Sequence, residues 1–202
     1  MKDCCEVRAD ILQRHRRVLH VVLWINAAMF VVESIAGVLA GSTALLADSV
    51  DMLGDAIVYG FSLYVVARGV AWQARASLLK GAIMGAFGVG VLVQAVVKVL
   101  AGVVPSPGVM GVVGALALAA NGACLALLWR HRDDDINMRS AWLCSLNDVG
   151  GNAGVLVAGA GVWLTGSGWP DIVVGLLIAS MFGVSAASVI RSAARGLQAT
   201  RV

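Results

Sequence analysis

Six apolar segments, each long enough for a helix that crosses a lipid bilayer, make up most of this chain. Such a helix needs about 20 mostly apolar residues. The segments lie at 18–40, 44–67, 80–101, 108–129, 139–164 and 170–192. Only 13% of the 202 residues are charged and the mean hydropathy is +0.86, whereas a soluble domain carries about 25% charged residues. The sequence therefore predicts an all-α membrane protein with six transmembrane helices. It excludes a soluble enzyme, a nucleic-acid-binding protein and a disordered chain.

The basic residues predict the orientation of these helices. All but one of the 15 Lys and Arg residues lie before the first segment, between the second and third, between the fourth and fifth, or at the end of the sixth. The connections at 41–43, 102–107 and 165–169 contain none. By the positive-inside rule, both termini are expected in the cytoplasm. The exception is Lys98, near the outer end of the third segment, and we expect its side chain to reach outward to water.

The predicted organisation has three parts. Residues 1–17 form a cytoplasmic N-terminal segment, residues 18–193 a six-helix transmembrane domain, and residues 194–202 a short cytoplasmic tail. Such a tail is too short to fold as a domain. The four cysteines are not spaced like a disulfide framework or a CxxC zinc pair. Cys4, Cys5 and His15 could hold a soft metal near an entrance, although a frayed terminus is the simpler interpretation.

Five carboxylates inside the predicted spans carry most of the functional information. An Asp at the centre of a membrane helix costs roughly 2.5–3.5 kcal/mol on insertion scales. Such residues usually face a bundle interior or a wet cavity and mark the path of an ion or a proton. The middle parts of the segments contain no Lys or Arg that could pair with them. The five residues are Glu33, Asp48, Asp51, Asp55 and Asp148.

The spacing of these acids predicts a metal site. Asp51 and Asp55 are four residues apart and share one helix face, and Cys144 and Asp148 are again four apart on the fifth segment. Both pairs fall near the middle of the membrane when helix rise is counted from the segment ends. Two helices would then bring two ligand pairs to one depth. This arrangement suits a four-coordinate divalent cation held by oxygen and sulfur.

Several neighbouring polar residues have two interpretations. They could orient the ligands, or they could form ordinary hydrogen bonds between helices. Glu33 shares a helix face with Asn26, which favours a polar contact between helices over a ligand role. A lone cysteine in an apolar helix is usually a packing residue, and we expect this of Cys124. The candidates around the ligands are Asp48, Asn147, Asn152 and Glu33.

Several stretches resemble the cation diffusion facilitator family of metal transporters. Residues 33–37 (ESIAG) and 40–55 (AGSTALLADSVDMLGD) are similar to the first two helices of that family. Residues 139–148 (RSAWLCSLND) are similar to its fifth helix, and the WPD at 169–171 to the start of its sixth. Two separated motifs and the topology agree, and together they cover nearly the whole chain.

The resemblance implies an export function. Members move divalent transition metals out of the cytoplasm in exchange for protons, usually as homodimers, and take two metal ligands from helix two and two from helix five. The matching residues here are Asp51, Asp55, Cys144 and Asp148. The expected partners are therefore divalent metal ions, protons, the lipid bilayer and a second copy of the chain. No prosthetic group and no nucleic acid are expected. The expected location is a bacterial cytoplasmic membrane.

Two departures from the family pattern refine these expectations. Cys144 stands where most members have a histidine, and its softer thiolate should favour zinc or cadmium over manganese and magnesium, with cobalt or iron still possible cargo. The cytoplasmic metal-binding domain that most members carry after helix six is also missing from this sequence. A homodimer would then have to form through the membrane helices.

Two other functions compete with metal/proton antiport. A passive divalent-cation channel would need a series of weak sites, whereas one site with a sulfur ligand would hold its ion too tightly. A structural or sensory membrane protein would need basic partners for its buried acids. The sequence has no paired nucleophile and base and no phosphate-binding loop, so no enzymatic activity is predicted.

Overall fold

The computed structural model describes residues 9–65, 70–133 and 136–199, and these residues form six α-helices without a β-strand. Cys4, Cys5 and the side chain of His15 lie outside this described part. The all-α prediction is confirmed. The helices are α1 (Ala9–Ala40), α2 (Thr43–Val65), α3 (Val70–Ala101), α4 (Pro107–Trp129), α5 (Ile136–Thr165) and α6 (Trp169–Ala199).

Three described stretches are long and apolar enough to cross a membrane. They are Arg17–Ala40 in α1, Gly81–Ala101 in α3 and Pro107–Trp129 in α4. The apolar stretch that begins α6, Trp169–Met181, is shorter. In α2 the apolar character is interrupted by the three aspartates of the predicted functional face. Six crossings and two cytoplasmic termini therefore stay predictions.

The three connections without basic residues are tight turns that end helices. Gly41 follows α1 with a φ of 64°, and the Ser42 N–H donates to the Gly37 carbonyl oxygen over 2.9 Å. This is the glycine cap in which a left-handed residue lets the chain bond back onto the last helical turn. Gly102 and Gly166 end α3 and α5 with similar φ values of 63° and 61°. These turns bring the ends of consecutive helices together on one side of the bundle.

Helix α2 lies at the centre of the bundle. It packs against α1, α3, α5 and α6, while α4 packs against α1 and α5. The start of α2 is so close to α6 that a Cβ on Gly175 would lie 2.8 Å from the Thr43 carbonyl carbon. Only glycine permits this approach without a backbone shift. The central place of α2 explains why its acidic face is enclosed by other helices and not by solvent.

Candidate metal site

The acidic face of α2 points into the bundle. Asp48 is fully buried, Asp55 is 7% exposed and Asp51 is half-buried. The three residues lie on adjoining turns, so their carboxylates follow one side of the helix. Two of the three acids, Asp48 and Asp55, are therefore buried in the bundle.

Helix α5 contributes a second polar face. Cys144 and Asp148 are buried at 8% and 5% exposure, and Asn152 is fully buried one turn further along. Its side-chain amide donates to the Asp148 carbonyl oxygen over 2.7 Å. Asn147 is different, because it lies on the exposed side of α5. The structure therefore brings Asn152 to the buried face of α5 and leaves Asn147 away from it.

The two helices that carry the predicted ligands face each other. Helix α2 contacts α5, and a Cβ built on Gly151 would lie 3.1 Å from Asp48 Oδ1. The Asp48 side chain thus reaches the backbone of α5 at the turn that follows Asp148. This contact shows which sides of α2 and α5 face each other.

The structure does not gather the predicted ligands into a coordination sphere. Within the described residues, no group of three or more His, Cys, Asp and Glu side chains is close enough to hold a metal ion. Each of the four candidate ligands also takes part in an interaction with the rest of the protein. Their assignment as metal ligands stays a prediction. The four residues are Asp51, Asp55, Cys144 and Asp148.

Glu33 is a residue of α1, but it interacts with the acidic face of α2. It is fully buried on α1, and the charges of Asp48 and Asp51 act on its carboxylate. Neither of its oxygens has a hydrogen-bond partner among the described residues. The polar helix contact expected from the shared face with Asn26 is not formed by that amide, whose Nδ2 donates to the Val22 carbonyl oxygen of its own helix over 2.9 Å.

The buried face of α4 is apolar apart from one side-chain amide, that of Asn121. Cys124 is buried in an apolar cluster with Leu19, Tyr59 and Leu128, so the predicted packing role is confirmed. Asn121 is also buried, and its Nδ2 lies 3.6 Å from Met52 Sδ on α2. A polar group that faces the acidic helix therefore comes from α4 as well.

A second polar group lies at the end of the bundle that holds the glycine turns. Asp171, in the first turn of α6, accepts hydrogen bonds from Ser42 Oγ over 2.6 Å and from the backbone N–H groups of Thr43 and Ala44 over 2.6 and 3.0 Å. The carboxylate thus satisfies amides at the start of α2 that have no acceptor within the helix. It also lies near the positive end of the α2 dipole.

The side chain of Lys98 joins this group, and here the expectation of an outward-reaching lysine is wrong. Lys98 is only 5% exposed, and its Nζ donates to Thr43 Oγ1 over 3.1 Å. Its charge also interacts with that of Asp171. A hydroxyl and a carboxylate from two other helices offset the loss of water, so the ammonium stays inside. One feature of the sequence indicates these partners: Lys98 is the one basic residue near three connections that contain no Lys or Arg.

Buried acids on the facing helices of an apolar, all-helical bundle define the class of protein: a membrane protein that handles cations. The family follows from comparison. Residues 19–198 match the model of the cation efflux transmembrane domain, and the chain belongs to this family of metal transporters, the cation diffusion facilitators.

Two curated relatives agree with this assignment. They are the metal cation efflux system protein CzcD of Cupriavidus metallidurans and the cation efflux system protein CzcD of an Alcaligenes species. Each is 23% identical to this chain in an alignment that covers 81% of the chain and 56% of the relative. The chain thus spans little more than half the length of these relatives.

Proposed function

We propose that this protein exports a divalent transition metal from the cytoplasm in exchange for protons, with zinc and cadmium as the preferred ions. The observation that carries the proposal is the enclosed acidic face of α2, a helix that contacts α5, on which Cys144 and Asp148 are buried. A cation is the natural occupant of an apolar bundle with so many buried carboxylates. Membership in the cation efflux family supports the same direction of transport.

We propose Asp51, Asp55, Cys144 and Asp148 as the ligands of the transported ion. Three carboxylates and one thiolate form a mixed oxygen and sulfur set, which suits tetrahedral zinc and tolerates the softer cadmium. Because no three of these side chains lie within metal-binding distance of one another, we infer that binding draws α5 toward α2. Rocking of helices around a site near the membrane midplane would then expose the ion to one side at a time.

Proton exchange follows from the chemistry of the same ligands. A carboxyl or thiol group binds metal only after it loses its proton, so metal and protons compete for the site. A site open to the near-neutral cytoplasm would release protons to an incoming ion. A site open to a more acidic exterior would regain them and release the ion.

The membrane arrangement is also part of the proposal. Six crossings with both termini in the cytoplasm agree with the distribution of Lys and Arg. Large apolar side chains lie exposed along α1, α3 and α5, for example Leu39, Leu100 and Leu164. We propose that lipid and the membrane helices of a second copy cover them.

Transport by reconstituted protein tests this function. The full chain is placed in liposomes with an imposed pH difference, and uptake of zinc, cadmium, cobalt and manganese is measured separately. Antiport predicts uphill accumulation of zinc and cadmium that requires the pH difference. A passive channel would equilibrate the metal but would not concentrate it, and a structural or sensory protein would move none.

A further inference from the structure

Two buried carboxylates outside the proposed ligand set have no partner in the described part of the bundle. Glu33 on α1 and Asp48 on α2 are both fully buried, and all four of their oxygens lack a hydrogen bond there. The two charges act on each other. A buried charge without a partner is strongly destabilising, so the two carboxyl groups must either hold protons or have another positive charge nearby.

No described basic side chain supplies that charge. Lys98, on the neighbouring α3, is engaged with Thr43 and Asp171. The other described basic side chains lie at or near the ends of the apolar parts of the helices: Arg17, His20, Arg130, His131, Arg132 and Arg191. The remaining described titratable groups on the elements around the pair are acids, thiols or a phenol: Asp51, Asp55 and Tyr59 on α2, Cys124 on α4, Cys144 and Asp148 on α5, and Asp171 on α6.

Asp48 also lies against α5. A methyl group on Gly151 would lie 3.1 Å from Asp48 Oδ1, closer than an ordinary contact, so a glycine at this position lets the carboxylate approach the α5 backbone. Along α2, Asp48 is one turn closer to Thr43 than Asp51 and two turns closer than Asp55. The pair therefore lies between the proposed ligands and the end of the bundle with the glycine turns.

We propose that Glu33 and Asp48 form a second cation-binding site, separate from the four metal ligands and built from oxygen alone. It takes a small cation, which is either the transported metal ion or the exchanged protons, as that cation passes between the ligands and the outer face. The two carboxylates together balance one divalent ion or two protons. The location of the site along an export path rests on the proposed function, whereas its affinity for cations does not.

The test counts ions and protons bound by the purified full chain in detergent. Glu33→Gln and Asp48→Asn keep the side-chain shape and remove the charge, and Asp133→Asn, at an exposed acid between α4 and α5, is the matched control. Isothermal titration with zinc gives the number of ions bound. Repeating it in two buffers with different ionisation enthalpies gives the number of protons released per ion.

Two results support the second site and separate its possible occupants. If the occupant is a metal ion, the wild type binds two zinc ions per chain and each variant binds one, with the remaining affinity within about threefold of the tighter wild-type site. If the occupant is the proton, all proteins bind one zinc ion, but each variant releases fewer protons per ion than the wild type. Asp133→Asn behaves like the wild type in both cases.

One result overturns the inference: variants that bind as many ions and release as many protons as the wild type. Gly151→Ala covers the case in which a charge variant fails to fold, because it keeps both carboxylates and places a methyl group against Asp48 Oδ1. It should lower the ion count or the proton release in the same direction as Asp48→Asn. Failure of metal transport by the wild type would reject the proposed function and would leave this count of ions and protons unaffected.

Discussion

The carboxylate of Asp171 on α6 accepts a hydrogen bond of 2.6 Å from Ser42 Oγ, at the turn between α1 and α2. The same carboxylate accepts the backbone N–H groups of Thr43 and Ala44. One side chain thus holds the start of the central helix to a helix that is more than a hundred residues away in sequence. Because the acidic face of α2 begins one turn further on, this bond also fixes the position of Asp48.

Removing the charge of Asp171 should destabilise the bundle. Asp171→Asn keeps one acceptor oxygen but loses charge-assisted bonds and leaves Lys98 without a counter-charge, so we expect a loss of about 2–3 kcal/mol in unfolding free energy. Thermal unfolding in detergent measures it. Asp133→Asn, at an exposed acid, should leave the unfolding temperature unchanged. An unchanged unfolding temperature in Asp171→Asn would show that the network contributes little.

The close approach of α6 to α2 gives a second prediction, with a control on the same helix. In Gly175→Ala the new methyl group would lie 2.8 Å from the Thr43 backbone, so the helices must separate at a cost of about 1–3 kcal/mol. At Gly183 a methyl group would meet nothing within 4 Å, so Gly183→Ala should keep or slightly raise stability. Equal unfolding temperatures for the two variants would contradict so close an approach of Gly175 to Thr43.

Periodicity within one helix was enough to predict much of this arrangement. The acidic face of α2 follows from the spacing of Asp48, Asp51 and Asp55, because helical spacing fixes which residues share a side. The same rule separates Asn152, four residues after Asp148 and buried, from Asn147, which is adjacent in sequence and exposed.

Contacts between helices could not be predicted in the same way. The sequence of α1 does not specify its rotation against α2, so the electrostatic interaction of Glu33 with Asp48 becomes visible only in the packed bundle. The interpretation of Lys98 failed for a related reason. A lone lysine near a helix end has water as its nearest partner unless other helices offer one, and here Thr43 and Asp171 do.

The proposed ligands should be indispensable for transport but not for folding. Asp55→Ala and Asp148→Ala each remove a carboxylate from the proposed site, and we expect zinc flux into liposomes to fall to the level of empty vesicles. Asp133→Ala is the control, since it removes an exposed acid. Size-exclusion profiles and unfolding temperatures should match the wild type. Near wild-type flux in either ligand variant would reject that residue as a ligand.

Coupling to protons makes a separate prediction about the driving force. Uphill zinc movement should stop when a protonophore removes the pH difference, because the carboxylates and the thiol must exchange protons for metal. The reverse experiment uses a preloaded zinc gradient, which should move protons and change the fluorescence of a trapped pH dye. Accumulation that continues without any pH difference or membrane potential would exclude antiport.

The last prediction concerns Cys144, which the resemblance to the family matches to a position that is usually histidine. If its thiolate binds the ion, Cys144→Ser should lower cadmium affinity by at least about tenfold, or 1.4 kcal/mol, and zinc affinity by less, since oxygen is the harder donor. Cys144→His should restore zinc transport and reduce the preference for cadmium.

A second buried thiol supplies the control for this experiment. Cys124 packs among apolar side chains on α4, so Cys124→Ser should leave both metal affinities unchanged. Isothermal titration of the three variants with each metal measures the difference. If Cys144→Ser also binds both metals like the wild type, Cys144 only packs, because serine differs little from cysteine in shape. The site would then consist of Asp51, Asp55 and Asp148, completed by an amide or water.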